Sequence, residues 1–158
     1  MVTRYFHPTA TTTEFAVDHP GNRDKQVMQA LVTAGALVAL SDGQVKAIER
    51  DELVNFIDRQ GFVPSISRQE IAEAFDNRVQ QLEGRDSADA IAETLRPLAG
   101  LSLASIVIRT ATQVAAADRH IHPGEARTLK LIRLALATQE PASNFSSVST
   151  EEPGSSSD

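Results

Sequence analysis

Cysteine and tryptophan are absent, tyrosine occurs once, and aromatic residues make up only 4% of the 158 residues. Without a thiol there is no disulfide framework, no thiolate metal site and no cysteine nucleophile. A basic excess is missing too: 15 Lys and Arg face 21 Asp and Glu, a formal charge of -6. Four acids, Glu140, Glu151, Glu152 and Asp158, fall in the Ser-rich C-terminal stretch, which has no Lys or Arg. The remainder is nearly neutral and offers no positive field to a phosphate backbone, so a nucleic-acid partner is not expected. Long hydrophobic runs are also lacking. Ala34–Leu40 and Leu101–Ile108 are the longest, well short of the ~20 residues that cross a bilayer. Met1 to Thr13 has no apolar core of the kind a secretory signal needs, and a cytoplasmic location is expected.

The length fits one domain. Residues 1–22, rich in Thr with two His-Pro pairs, read as an N-terminal tail, and residues 139–158 as an acidic, Ser-rich C-terminal one. Both hold too few apolar groups to offset the cost of ordering their backbone, so disorder is expected in each. Phe145 and Val148 are the residues of the second tail suited to dock locally.

Between the tails, over 23–138, apolar residues recur at helical spacing and nothing alternates as a strand would. The pattern predicts an all-α bundle of six to seven helices. A first helix over about 23–40 carries Val27, Ala30, Leu31, Ala34, Leu37 and Val38, and Ala36, Ala39 and Leu40 widen its stripe almost all round. That predicts a central, buried helix. A second spans about 47–59 with Ile48, Leu53, Phe56 and Ile57 inward, stopped by Gly61. Ser67-Arg-Gln-Glu70 has the form of a capping box opening a third helix, which runs on to Gly84. A fourth starts near Asp86 and ends before Pro97. A fifth, about 103–117, is strongly apolar. The sixth, about 123–137, opens on Pro123, where a missing N–H costs nothing.

Comparing the chain with itself is more informative. Ala36–Ile57 aligns without gaps to Thr112–Arg133 at an offset of 76 residues, with identities Val38/Val114, Ala39/Ala115, Asp42/Asp118, Glu49/Glu125 and Leu53/Leu129. Val45 aligns with Ile121. Each copy is a buried helix, an Asp at its end, a short loop with an apolar plug, and a Glu early in the next helix. Packed about a pseudo-twofold, two such helix–loop–helix units bring Asp42, Glu49, Asp118 and Glu125 together. Converging carboxylates repel unless a cation or a shared proton neutralises them. All-oxygen ligands suit hard divalent cations such as Ca²⁺, Mg²⁺ or Mn²⁺.

A purely structural account competes with this one. Glu125 lies three residues after His122 and can complete a capping box. Glu49 lies in a first helical turn, where the macrodipole favours an anion. Asp42-Gly43 is ordinary turn chemistry at a helix end.

The pattern S-D-G-x-V-x-x-x-E at Ser41–Glu49, repeated as A-D-x-x-I-x-P-x-E at Ala117–Glu125, resembles the TerB-like family, which includes tellurite-resistance TerB proteins and the N-terminal domain of DjlA co-chaperones. The resemblance covers about 23–138. It implies a duplicated helical bundle with an acidic centre for a divalent metal, the corresponding residues being Asp42, Glu49, Asp118 and Glu125. It also implies a bacterial stress-response role linked with tellurite, other proteins of that system as partners, peripheral association with inner-membrane proteins at the inner face of the membrane, and no enzyme activity. Two departures stand out. Arg119 occupies the usual Gly position, which predicts backbone strain in a left-handed cap and places a guanidinium able to neutralise a neighbouring acid. His120 and His122 flank Ile121 and are possible additional ligands that favour Zn²⁺ or Ni²⁺.

Rival functions are limited. No Asp or Glu is followed three residues later by His, as helical di-metal oxidases require. There is no Gly-rich phosphate loop and no Gly-x-Ser-x-Gly elbow. The alternative to a metal protein is a metal-free, co-chaperone-like interaction module. Its surfaces would be the loops Asp42–Lys46 and Asp118–His122 and the basic strip Arg127, Lys130 and Arg133. Phe56, Phe62 and Phe75 read as core.

Overall fold

A computed structural model describes residues 20–137. Six α-helices follow the apolar stripes in chain order: α1 (Pro20–Ala39), α2 (Ala47–Gln60), α3 (Arg68–Leu82), α4 (Ser87–Thr94), α5 (Leu103–Ala115) and α6 (Pro123–Leu136). Single 3₁₀ turns follow α1 at Leu40–Asp42 and α4 at Arg96–Leu98. Among the described residues there is no strand. The fold is all-α, as the periodicity predicts. None of these helices is long and apolar enough to cross a membrane.

α1 is the central element. Every residue from Ala30 to Ala39 is buried. Its small residues let neighbours approach on all sides, and it packs on α5, α3, α6 and α4. The contact at Gly35 is close enough that a Cβ there would lie 2.2 Å from Leu53 Cδ1 of α2. Phe75, Leu31, Leu53, Ile57, Ile71, Leu95 and Ile132 are fully buried around α1 and α5. Burying each such side chain contributes about 1.5–3 kcal/mol, so these helices hold together through their apolar faces more than through intrinsic propensity. Phe56 and Phe75 are buried, and Phe62 is half-buried with its ring 5.9 Å from that of Phe56.

Several expectations need correction. α1 begins at Pro20, three residues ahead of the Arg23 start read from the sequence, so residues 20–22 are helix and not tail. α5 ends at Ala115 rather than Ala117. Ile48 is 49% exposed. The inward position of that first turn belongs to Glu49, one turn before Leu53, and Ile48 lies ~100° away around the helix. The apolar plug of the second loop is absent, because Ile121 is 51% exposed while Val45 packs against the core. Residues 1–19 and 138–158, with Phe145 and Val148, lie outside the described residues.

Candidate metal centre

The two loop-and-helix copies have the same local construction. After α1, Asp42 Oδ1 accepts from the Gln44 N–H at 3.1 Å, and after α5, Asp118 Oδ1 accepts from the His120 N–H at 3.0 Å. The next residue is left-handed in both, Gly43 at φ 85° and Arg119 at φ 66°. Lys46 and His122 are then the equivalent N-caps of α2 and α6. Each donates its backbone N–H to the Glu three residues on, Lys46 to Glu49 Oε2 at 3.0 Å and His122 to Glu125 Oε2 at 2.8 Å. The two caps also meet each other, Lys46 Nζ lying 3.3 Å from His122 Nε2. Equivalent residues in mutual contact are what a local twofold axis produces.

Asp42, Glu49 and Glu125 form a group whose ligand oxygens lie within 4.8 Å of one another, an arrangement that can hold a metal ion. Asp118 stands beside this group and outside it. Its Oδ2 accepts from Lys46 Nζ at 2.7 Å and lies 3.3 Å from His122 Nε2. The same ammonium is 3.4 Å from Asp42 Oδ2 and 3.9 Å from Glu49 Oε1. One cation therefore ties the acids of both copies together. Asp118 is held well below the usual carboxylate range, first by the Lys46 hydrogen bond and then by the His120 N–H. Lys46 is in turn held above its ordinary value, chiefly by Asp118.

Glu49 and Glu125 are 1% and 0% exposed. Capping satisfies their Oε2 atoms, while both Oε1 atoms are buried without a hydrogen-bond donor. The internal comparison is Glu70. It caps α3 in the same way, Oε2 accepting from the Ser67 N–H at 2.8 Å, yet it is exposed. Capping therefore does not require burial. Burying an ionised carboxylate costs several kcal/mol, whereas one hydrogen bond to a charged group returns only about 1.5–3 kcal/mol. Burial accordingly pushes the Glu49 carboxyl up, against the pull of the Lys46 N–H and ammonium. A divalent cation held by Asp42, Glu49 and Glu125 would offset this deficit, so the donor set fits a hard ion bound by oxygen. The close seat of α6 keeps the group tight: a Cβ on Gly124 would fall 2.6 Å from the Ser41 carbonyl oxygen.

Neither histidine belongs to the acidic group. His120 is exposed, and its Nδ1 lies 3.4 Å from the Asp118 carbonyl of its own loop. His122 touches Asp118 and Lys46 at the rim. Arg119 adopts the strained conformation foreseen for it, but the cation that neutralises the acids is Lys46, not Arg119. Sequence reading missed Lys46 as a site residue. The signal was there, since Lys46 is the cap that aligns with His122 at the same offset of 76 residues.

The fold and this geometry define a two-copy helical bundle with an acidic centre at the seam between the copies. Residues 28–144 match the family of tellurite resistance protein TerB, and the chain belongs to that family. No curated protein and no solved structure matches it.

Proposed function

We propose that the protein is a non-enzymatic, divalent-cation-binding member of the TerB family, acting in the response to tellurite or a related stress. Asp42, Glu49 and Glu125 would be the ligands, with Ca²⁺, Mg²⁺ or Mn²⁺ preferred over Zn²⁺ because the donors are all carboxylate oxygens. The reading rests on the two buried Glu Oε1 atoms that no donor satisfies. Its wider setting is a bacterial cytoplasm, with other proteins of the same stress system as partners and a peripheral position beside inner-membrane proteins.

Thermal melts of the full chain in EDTA and in each cation test it. A ligand that binds only the folded state stabilises by about 2.7 kcal/mol at a hundredfold excess over Kd. The expected result is a rise in Tm with Ca²⁺, Mg²⁺ or Mn²⁺ that Glu49→Gln and Glu125→Gln each abolish. Unchanged melts with all these ions would overturn the reading. One observation favours the alternative of a metal-free interaction module: Arg127, Lys130 and Arg133 are all exposed along α6, next to Leu134, which is 64% exposed.

A further inference from the structure

We propose that Lys46 is a resident counter-ion that an incoming divalent cation displaces, and that Asp118 is the post that holds the displaced ammonium rather than a metal ligand. This rests on the metal reading of the pocket and adds to it the element that sets its affinity.

The unequal contacts of one ammonium carry the inference. Lys46 Nζ is closest to Asp118 at 2.7 Å, and farther from Asp42 at 3.4 Å and Glu49 at 3.9 Å. The last two belong to the group able to hold an ion; Asp118 does not. Both oxygens of Asp118 already have partners, Oδ1 the His120 N–H and Oδ2 Lys46 Nζ, with His122 Nε2 3.3 Å from Oδ2. The buried Oε1 atoms of Glu49 and Glu125, in contrast, have no donor. An ion held by Asp42, Glu49 and Glu125 would take over the neutralisation of Asp42 and Glu49. Lys46 then gives up its two longer contacts and keeps its shortest. Ammonium and metal ion carry like charge, so the cation's affinity depends on how well Asp118 draws Lys46 aside.

A double-mutant cycle on the full chain separates this role from direct ligation. Mn²⁺ and Ca²⁺ are titrated calorimetrically into the wild type, Lys46→Met, Asp118→Asn and the double variant at one fixed ionic strength. Lys46→Met is expected to bind about tenfold tighter than the wild type. Asp118→Asn is expected to bind about tenfold weaker, because the freed ammonium settles on Asp42 and Glu49. In the Lys46→Met background, Asp118→Asn should change affinity by less than about threefold. An Asp118 that ligates the ion would instead weaken binding equally in both backgrounds, and that result overturns the proposal. Lys46→Gln serves as the neutral variant if the methionine variant does not fold, with circular dichroism reporting folding. Equal affinities for the wild type and the neutral Lys46 variants would sink this inference while leaving the metal site standing. No binding to any folded variant would sink both.

Discussion

At the scale of single residues, Arg119 shows how a departure from a pattern becomes a backbone problem. It sits at φ 66°, the conformation its counterpart Gly43 takes at φ 85°. A side-chain-bearing residue pays about 1–2 kcal/mol there. Arg119→Gly should therefore stabilise the protein by about 1 kcal/mol, read as a higher midpoint in urea melts. Gly43→Ala should destabilise it by a similar amount, and because a Cβ at Gly43 would meet nothing within 4 Å, that loss would come from the backbone alone. The strain at Arg119 was legible from the resemblance, because the family pattern places Gly at that position. The burial of Glu49 in place of Ile48 was not. Hydrophobicity assigns the inward position to the apolar neighbour, and only the packing of two copies shows that a carboxylate holds it.

Secondary-structure elements were the most readable level, since several carry their own start chemistry, such as the capping boxes of α2, α3 and α6. Ser67 accepts from the Glu70 N–H at 3.2 Å, as the capping box predicts. Ser67→Ala should cost about 1 kcal/mol, lowering Tm by about 4 °C in a calorimetric scan. The start of α1 was misplaced because Pro20-Gly21-Asn22 reads as a turn, yet proline suits a first helical turn. Contacts between elements were beyond the sequence. Arg50 of α2 grips Asp76 of α3 with Nε and Nη2, both at 2.7 Å, and holds that carboxyl below its ordinary value of 3.8. Stability from a depressed carboxylate is present above its unfolded pKa and is lost as pH falls through the folded one. Because the Asp76 side chain is 47% exposed, Asp76→Asn should cost only about 0.5 kcal/mol near pH 7. That difference should vanish as the pH is taken below 3.8, which paired urea melts across the acid range would show.

For the molecule as a whole, the repeat was the informative signal, and three of the four acids it pairs, Asp42, Glu49 and Glu125, form the acidic group. It did not reveal which charges meet. Asp42 and Asp118 are symmetric in the alignment, whereas one belongs to the group able to hold an ion and the other to a lysine. Identical residues at equivalent positions acquire different neighbours once the caps differ, and no periodicity encodes that. The continuous burial of Ala30–Ala39 also means that neither copy has a core of its own. Fragments 1–84 and 85–158 should each give little helical signal by circular dichroism when separate. A cooperative melt from either fragment would contradict that expectation.

The pairing of Lys46 with His122 has a consequence for how such a centre can diversify. Were two unlinked, identical subunits to build it, each would confront its own twin across the axis: lysine would repel lysine, and histidine would offer no permanent charge. Placing both units on one polypeptide frees the opposing positions to become different, so a lone positive charge can serve a pocket that symmetry alone would leave either overloaded or bare.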